Sequence, residues 1–370
     1  MNKTLFFLLF FFFPLSLLSQ PMSNDSRAMY VDDFPNILGD VLAENALLSY
    51  AQSYEIETLL LYGLHVVHNT YDITNPATNA ILANFIAKAK TSYGVLSVGA
   101  IAESGAYFTN VIDPYNNSRN SATEIFDIYN LEFEYWNTNT IGNGGYYCTN
   151  YLIPNGLPCT NDGGFQFFIS ALQTMDSLAT VSPHAIMTEA YVGWPTVNQA
   201  DTIGENLDRL RLHAYVSDPN DAFNYSKNRL VDFANGTPNL AVSIIFSAEP
   251  NFMQNWLESN SMVAAENIFA TDFLNSSTTW NNTISLDGFT YFAYTYAVNV
   301  PLDVCLDYNL VQNLSINADT TIYADSLIEL DNVVVNPPYE LILVAPEVCI
   351  SMNCNVLDGA KLSVLEGGCY

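Results

Sequence analysis

Glu132 and Glu134 are separated by one residue within the run Phe126-Asp127-Ile128-Tyr129-Asn130-Leu131-Glu132-Phe133-Glu134-Tyr135-Trp136. Side chains of an extended strand alternate, so Asn130, Glu132 and Glu134 share one face, while Leu131, Phe133 and Tyr135 take the other and face covering elements. Two carboxylates crowded out of water raise the proton affinity of at least one of them. A carboxyl kept protonated near neutral pH is the general acid that glycosidic cleavage requires. The plainer alternative is a pair of solvated glutamates at a strand end, held by salt bridges. With 10 Lys+Arg against 38 Asp+Glu, few cations are left to do that.

Other groups could join this chemistry. Glu249 closes the run Ser243-Ile244-Ile245-Phe246-Ser247-Ala248-Glu249. A retaining glycosidase pairing Glu134 with Glu249 as nucleophile would hold the two carboxyls about 5 to 5.5 Å apart. The asparagine that usually precedes such an acid is absent, and Phe133 stands there. Glu103 and Glu189 also end predicted strands and read as cleft-lining residues. Tyr135, Trp136, Tyr146, Tyr147, Tyr191, Trp194 and Tyr294 fall at or just past strand ends, where rings either stack on sugar faces or pack the core. His65 and His68 fall in or after a strand, where a spacing of three splits them onto opposite faces. His213 sits inside a strand near Tyr215 and reads as barrel filling. No G-x-S-x-G elbow occurs. Neither a metal nor a cofactor is expected.

Eight segments could position these groups. They are β-branched and aromatic, and most end in polar or Gly/Pro clusters: 28–34, 57–65, 93–103, 125–136, 184–194, 210–217, 240–249 and 288–296. Helical apolar spacing fills 36–54, 79–90 and 164–179 between them. Strand and helix alternate, which predicts an α/β fold, a (β/α)8 TIM barrel over 21–305 with its reactive groups at the strand C-termini. A doubly wound open sheet is the alternative, although no G-x-G-x-x-G follows the first strand. From 312 to 370 the pattern changes to short alternating strands with Gly and Asn turns, a small all-β tail.

The chain has 370 residues, 49% of them hydrophobic, and a formal charge of -28. Such a surface repels phosphate backbones, which argues against nucleic acid as a partner, and it disfavours anionic membranes; neutral glycans are not repelled. Met1-Asn2-Lys3-Thr4, an apolar run from Leu5 to Phe13 and an exit through Ser19 read as a signal peptide over 1–20, hence secretion or display at the cell surface. No later stretch is long and apolar enough for a span. In an exported chain the six cysteines favour disulfides: Cys148 with Cys159 inside one loop, and Cys305, Cys349, Cys354 and Cys369 as staples of the tail. Paired C-x-x-C elements of a zinc site are missing.

The fourth segment resembles the D-x-x-D-x-D-x-E signature of family 18 glycoside hydrolases, the chitinases and endo-β-N-acetylglucosaminidases. Asp127, Asn130, Glu132 and Glu134 stand at its positions, flanked by Phe126 and Tyr135. Ser97-Val98-Gly99-Ala100 resembles the family's S-x-G-G, and His213-Ala214-Tyr215-Val216 keeps the tyrosine of its M-x-Y-D. The resemblance implies cleavage of N-acetylglucosamine-containing glycans, with Glu134 as general acid and the substrate's own acetamido oxygen as nucleophile. It implies that Glu132 orients and charge-stabilises that group, that Tyr215 holds it, and that Ser97 and Asn130 support the carboxylates, with Asp127 beside them. Sugar contacts would come from Trp136, Tyr135, Trp194, Tyr191, Phe292 and Glu189, with Phe292 in place of the family's tryptophan floor. Two departures stand out: Asn130 replaces an aspartate, removing a charge, and Glu132 is one methylene longer than the aspartate it replaces. They open two other outcomes, a catalytically inactive glycan-binding barrel and a structural or interaction protein. The tail stretch Val356-Leu357-Asp358-Gly359-Ala360-Lys361-Leu362 resembles the stacked β-modules that end many secreted Bacteroidetes proteins.

Overall fold

The structure, a computed structural model, describes residues 27–365 apart from 277–278, 301–307, 313–314, 318–319, 324–326, 345–346 and 352. The expected signal peptide, Cys305 and Cys369 lie outside the described residues.

Eight parallel strands close into a barrel in sequence order: β1 (Arg27–Val31), β2 (Ile56–Leu61), β3 (Ser97–Ala102), β4 (Ile128–Leu131), β5 (Met187–Val192), β6 (Arg209–His213), β7 (Leu240–Ser247) and β8 (Ile284–Phe292), with β1 pairing β8. The fold is therefore a (β/α)8 TIM barrel, and the open doubly wound sheet is ruled out. Strands this buried on both faces read as near-continuous apolar runs because helices cover the outside and neighbouring strands fill the inside.

Helices cover the three stretches where the apolar spacing predicts them, and several start on a capping side chain. Asp40 accepts N–H bonds from Leu42 and Ala43 ahead of the helix Val41–Ser53. Thr160 caps Asn161–Val181, and Asp218 followed by Pro219 opens Pro219–Gly236. The expected helix over 36–54 is broken at Gly39, whose φ of +91° suits glycine. Gly99 answers to packing: a Cβ there would come within 2.5 Å of Leu60 Cδ2 inside the barrel.

Two layers divide the core. Met29, Leu59, Tyr129, Leu131, Phe133, Leu210 and Leu212 belong to the large cluster between strands and helices. Tyr30, Leu60, Ile101, Ile128, Tyr191 and Ile245 fill the barrel interior.

The tail is all-β, as expected, and is also a repeat. The chain passes in turn through three parallel three-stranded sheets: β9 (Tyr308–Gln312), β12 (Leu327–Asp331) and β15 (Glu347–Ile350); β10 (Ser315–Ile316), β13 (Val334–Val335) and β16 (Asn355–Val356); β11 (Thr320–Tyr323), β14 (Glu340–Val344) and β17 (Lys361–Leu365). Tyr308 pairs with Leu327 and Leu327 with Glu347, a coil of roughly twenty residues as in stacked solenoids. Its own core is Ile316, Ile328, Leu330, Val333, Val335, Leu341 and Leu343. The disulfide staples expected here do not include Cys349 and Cys354, which are free thiols. Among the described residues no helix is long and apolar enough to cross a membrane.

Candidate active site at the barrel mouth

The alternation expected of the fourth strand holds beyond its ladder. β4 ends at Leu131, yet the Glu132 N–H still donates to the Ala102 carbonyl at 3.0 Å, so the chain stays extended. Phe133 packs outward on Tyr147, Tyr151 and Phe167, and Tyr135 on Phe165 and Phe168. Those contacts turn Glu132 and Glu134 toward the inside of the barrel mouth.

The two carboxyls meet different surroundings. Burial first, then the charge of Glu134, pushes the Glu132 pKa up to about 8, so this group carries a proton at neutral pH. Its Oε2 is buried with no partner in the protein, the kind of unsatisfied polar atom that calls for a functional explanation. Glu134 is hydrogen-bonded: Asn137 Nδ2 donates to its Oε2 at 2.8 Å and the Tyr191 hydroxyl to its Oε1 at 3.3 Å. The raised proton affinity expected of the pair thus falls on Glu132.

A cavity of about 370 Å³ opens beside Glu132, past the ends of β2, β3 and β4. Tyr62, Tyr107, Tyr146 and Tyr151 give it aromatic walls, with Glu103 and His65 as its other ionisable groups. Tyr146 and Tyr151 donate to Glu103 Oε2 at 3.0 and 2.5 Å. Tyr151 lies inside the loop closed by the disulfide Cys148–Cys159, the pairing expected from the sequence, and Tyr146 just before it. Tyr62, Tyr107, Tyr151 and the role of Asn137 were not foreseen, and Tyr146 was foreseen only as a ring past a strand end. Tyr151 could have been found by its place between Cys148 and Cys159.

Tyr215 reaches the same mouth. Burial raises its pKa, with smaller contributions from Tyr191, Tyr30, Glu132 and Glu249. Its ring lies 6.3 Å from those of Tyr191 and Phe292. Phe292 is half-buried against Tyr30 and Tyr62. Trp136 leans on Tyr191 at 5.4 Å over Gly193, where a Cβ would strike the indole at 2.6 Å. Trp194 is 49% exposed at the rim. Glu249 accepts from the Ser247 hydroxyl at 2.8 Å.

Four expectations are corrected. Glu189 is not a ligand group but a fully buried member of an ion network with Arg209 and Arg211. Arg209 Nε donates to Oε1 and Arg211 Nε to Oε2, each at 2.5 Å. Burial alone would raise its pKa, and the two arginines outweigh that and lower it. Asp127 and Ser97 lie at the N-terminal end of the strands, away from the mouth. Asp127 accepts from Lys90 at 2.8 Å and from the Val98 N–H at 2.8 Å, and Ser97 opens β3 beside Thr58. Tyr135 is sealed under the helix Asn161–Val181 and has no access to a ligand. Asn130 does sit beside the pair, yet its amide donates at 3.2 Å to Glu189 rather than to Glu132.

His65 and His68 lie on the helix Leu64–Tyr71, and among the described residues no cluster of three or more His, Cys, Asp or Glu could hold a metal. No protein-family model matches this chain, and no curated protein matches it.

Proposed function

We propose that this barrel is an exported glycoside hydrolase similar to family 18 enzymes, acting on glycans that contain N-acetylglucosamine. The observation that carries the reading is a carboxyl held protonated near neutral pH, Glu132, on the wall of a tyrosine-lined cavity and coupled to a second carboxyl, Glu134. The cavity volume falls within the range of small-molecule sites. Flat rings suit sugar faces.

In this reading the pair shares one proton. It rests on Glu132, passes to Glu134, and protonates the leaving oxygen as the glycosidic bond breaks. The substrate's acetamido oxygen takes the bond to the anomeric carbon, and water later opens that intermediate. Loss of the proton leaves Glu132 anionic just as positive charge develops on the acetamido group, which is where electrostatic stabilisation is worth most. Tyr215 holds the acetamido group, and Trp136, Trp194, Tyr191 and Phe292 offer rings to the rest of the sugar.

A non-catalytic glycan binder is the second reading. What favours it is Asn130, whose amide is engaged by Glu189 and leaves Glu132 without a hydrogen-bond donor.

Product analysis on a chitin oligosaccharide separates the two. Wild-type protein is expected to release shorter oligomers, and Glu134→Gln to lose about 10²- to 10⁴-fold in rate while still binding. Binding by both forms with turnover by neither supports the binder. Absence of any glycan affinity removes both readings.

A further inference from the structure

Tyr191 stands between two partners, with its hydroxyl 3.3 Å from Glu134 Oε1 and 3.3 Å from His213 Nδ1. His213 is walled in from every side: by Tyr191 of β5, Trp194 just after it, Tyr215 beyond β6, and Tyr225 and Arg229 of the helix Pro219–Gly236. Arg229 lies over the Trp194 and Tyr225 rings at 4.4 and 4.8 Å and donates to the Gly193 and Tyr225 carbonyls. His213 is 6% exposed, and its Nε2 has no partner in the protein. The imidazole is neutral, because burial, then the Arg229 charge, pushes its pKa down to about 3.

A neutral imidazole has one N–H to place. On Nε2 it would be a buried donor with nothing to bond. On Nδ1 it meets the Tyr191 oxygen. Buried donors left unpaired are rarer than bare acceptors, which selects the Nδ1–H form. The Tyr191 oxygen then accepts from His213, so its single hydrogen is given to Glu134.

We infer that His213 is a positioning residue: by donating from Nδ1 it fixes Tyr191 as a donor to Glu134, the group that protonates the leaving oxygen in the proposed hydrolysis. The catalytic consequence rests on the proposed hydrolysis; the direction of the hydrogen bonds does not. Among the described residues no carboxylate is paired with Arg229, and its charge adds to burial in keeping the imidazole neutral.

Nitrogen-15 NMR of the imidazoles in the full chain tests this. Only four histidines are present, and single His65→Asn, His68→Asn and His184→Asn variants assign His213 by elimination without touching it. The expected signature is a pyrrole-type Nδ1 and a pyridine-type Nε2, unchanged from pH 8 to pH 5. An Nε2–H tautomer, or an imidazolium signal within that window, overturns the inference. In Tyr191→Phe the Nδ1–H loses its acceptor, and the two shifts are expected to move toward a tautomer mixture; shifts identical to wild type overturn it as well. The wild-type spectrum stands by itself if that variant does not fold. The readout needs no turnover, so a chain that cleaves no glycan fails the hydrolytic reading and leaves this one to be judged separately.

Discussion

At the scale of single residues, the site depends on one carboxyl kept in its neutral form. Glu132 titrates near 8 in the fold against an ordinary value of 4.5. Between those two pH values the folded chain holds a proton that the unfolded chain has released. Stability therefore falls as pH rises through that window. Glu132→Gln removes the liability and is expected to raise the unfolding free energy at pH 8 by on the order of 2 kcal/mol, with little change near pH 4. Denaturant unfolding at the two pH values checks this, and equal stability at pH 8 contradicts it. The inward pairing of the acids was legible because strand alternation is a local property of Asn130, Glu132 and Glu134. Which of them keeps the proton was not legible, since that depends on how far each is sealed from water. Glu189 failed for a related reason: Arg209 and Arg211 alternate inward on the next strand and reach it, and only the barrel's closure puts them opposite one another.

At the scale of elements, the loop after β4 carries the cavity wall. Its disulfide joins cysteines 11 residues apart, with Tyr151 between them and Tyr146 just before, both donating to Glu103. Cys148→Ser is expected to cost about 2 to 3 kcal/mol in thermal unfolding. It should also weaken glycan binding, because two of the tyrosine walls ride on this loop; calorimetric titration of wild type and variant measures that. Unchanged affinity would show that Tyr146 and Tyr151 do not contact the ligand. The pairing could be read from the sequence because both cysteines sit in one Gly- and Asn-rich turn region. The solenoid was legible only through the likeness of 356–362 to stacked β-modules: its coils share alternating aliphatic positions rather than identical residues, so Ile328 and Leu330 lie in register with Val348 and Ile350 without a repeated word.

At the scale of the molecule, the chain holds two separate apolar cores, one around the barrel and one inside the solenoid. Burying a charge in the smaller one should be felt there alone. Leu341→Asp in the full chain is expected to expose solenoid amides to hydrogen exchange while barrel protection stays as in wild type; loss of protection in β1 to β8 would mean that the two units fold as one. The alternation of strand and helix made the barrel readable, because each βα unit announces itself within about thirty residues. The mouth was readable only in part, since it is assembled from the ends of strands that lie far apart in sequence. The proposed hydrolysis needs above all a proton on Glu132 in the resting protein. Carbon-13 titration of the glutamate carboxyls measures it directly, with Glu132→Gln to identify the signal. The expected midpoint is near 8, moving down when Glu134→Gln removes the neighbouring charge. A Glu132 midpoint close to 4.5 would contradict the account.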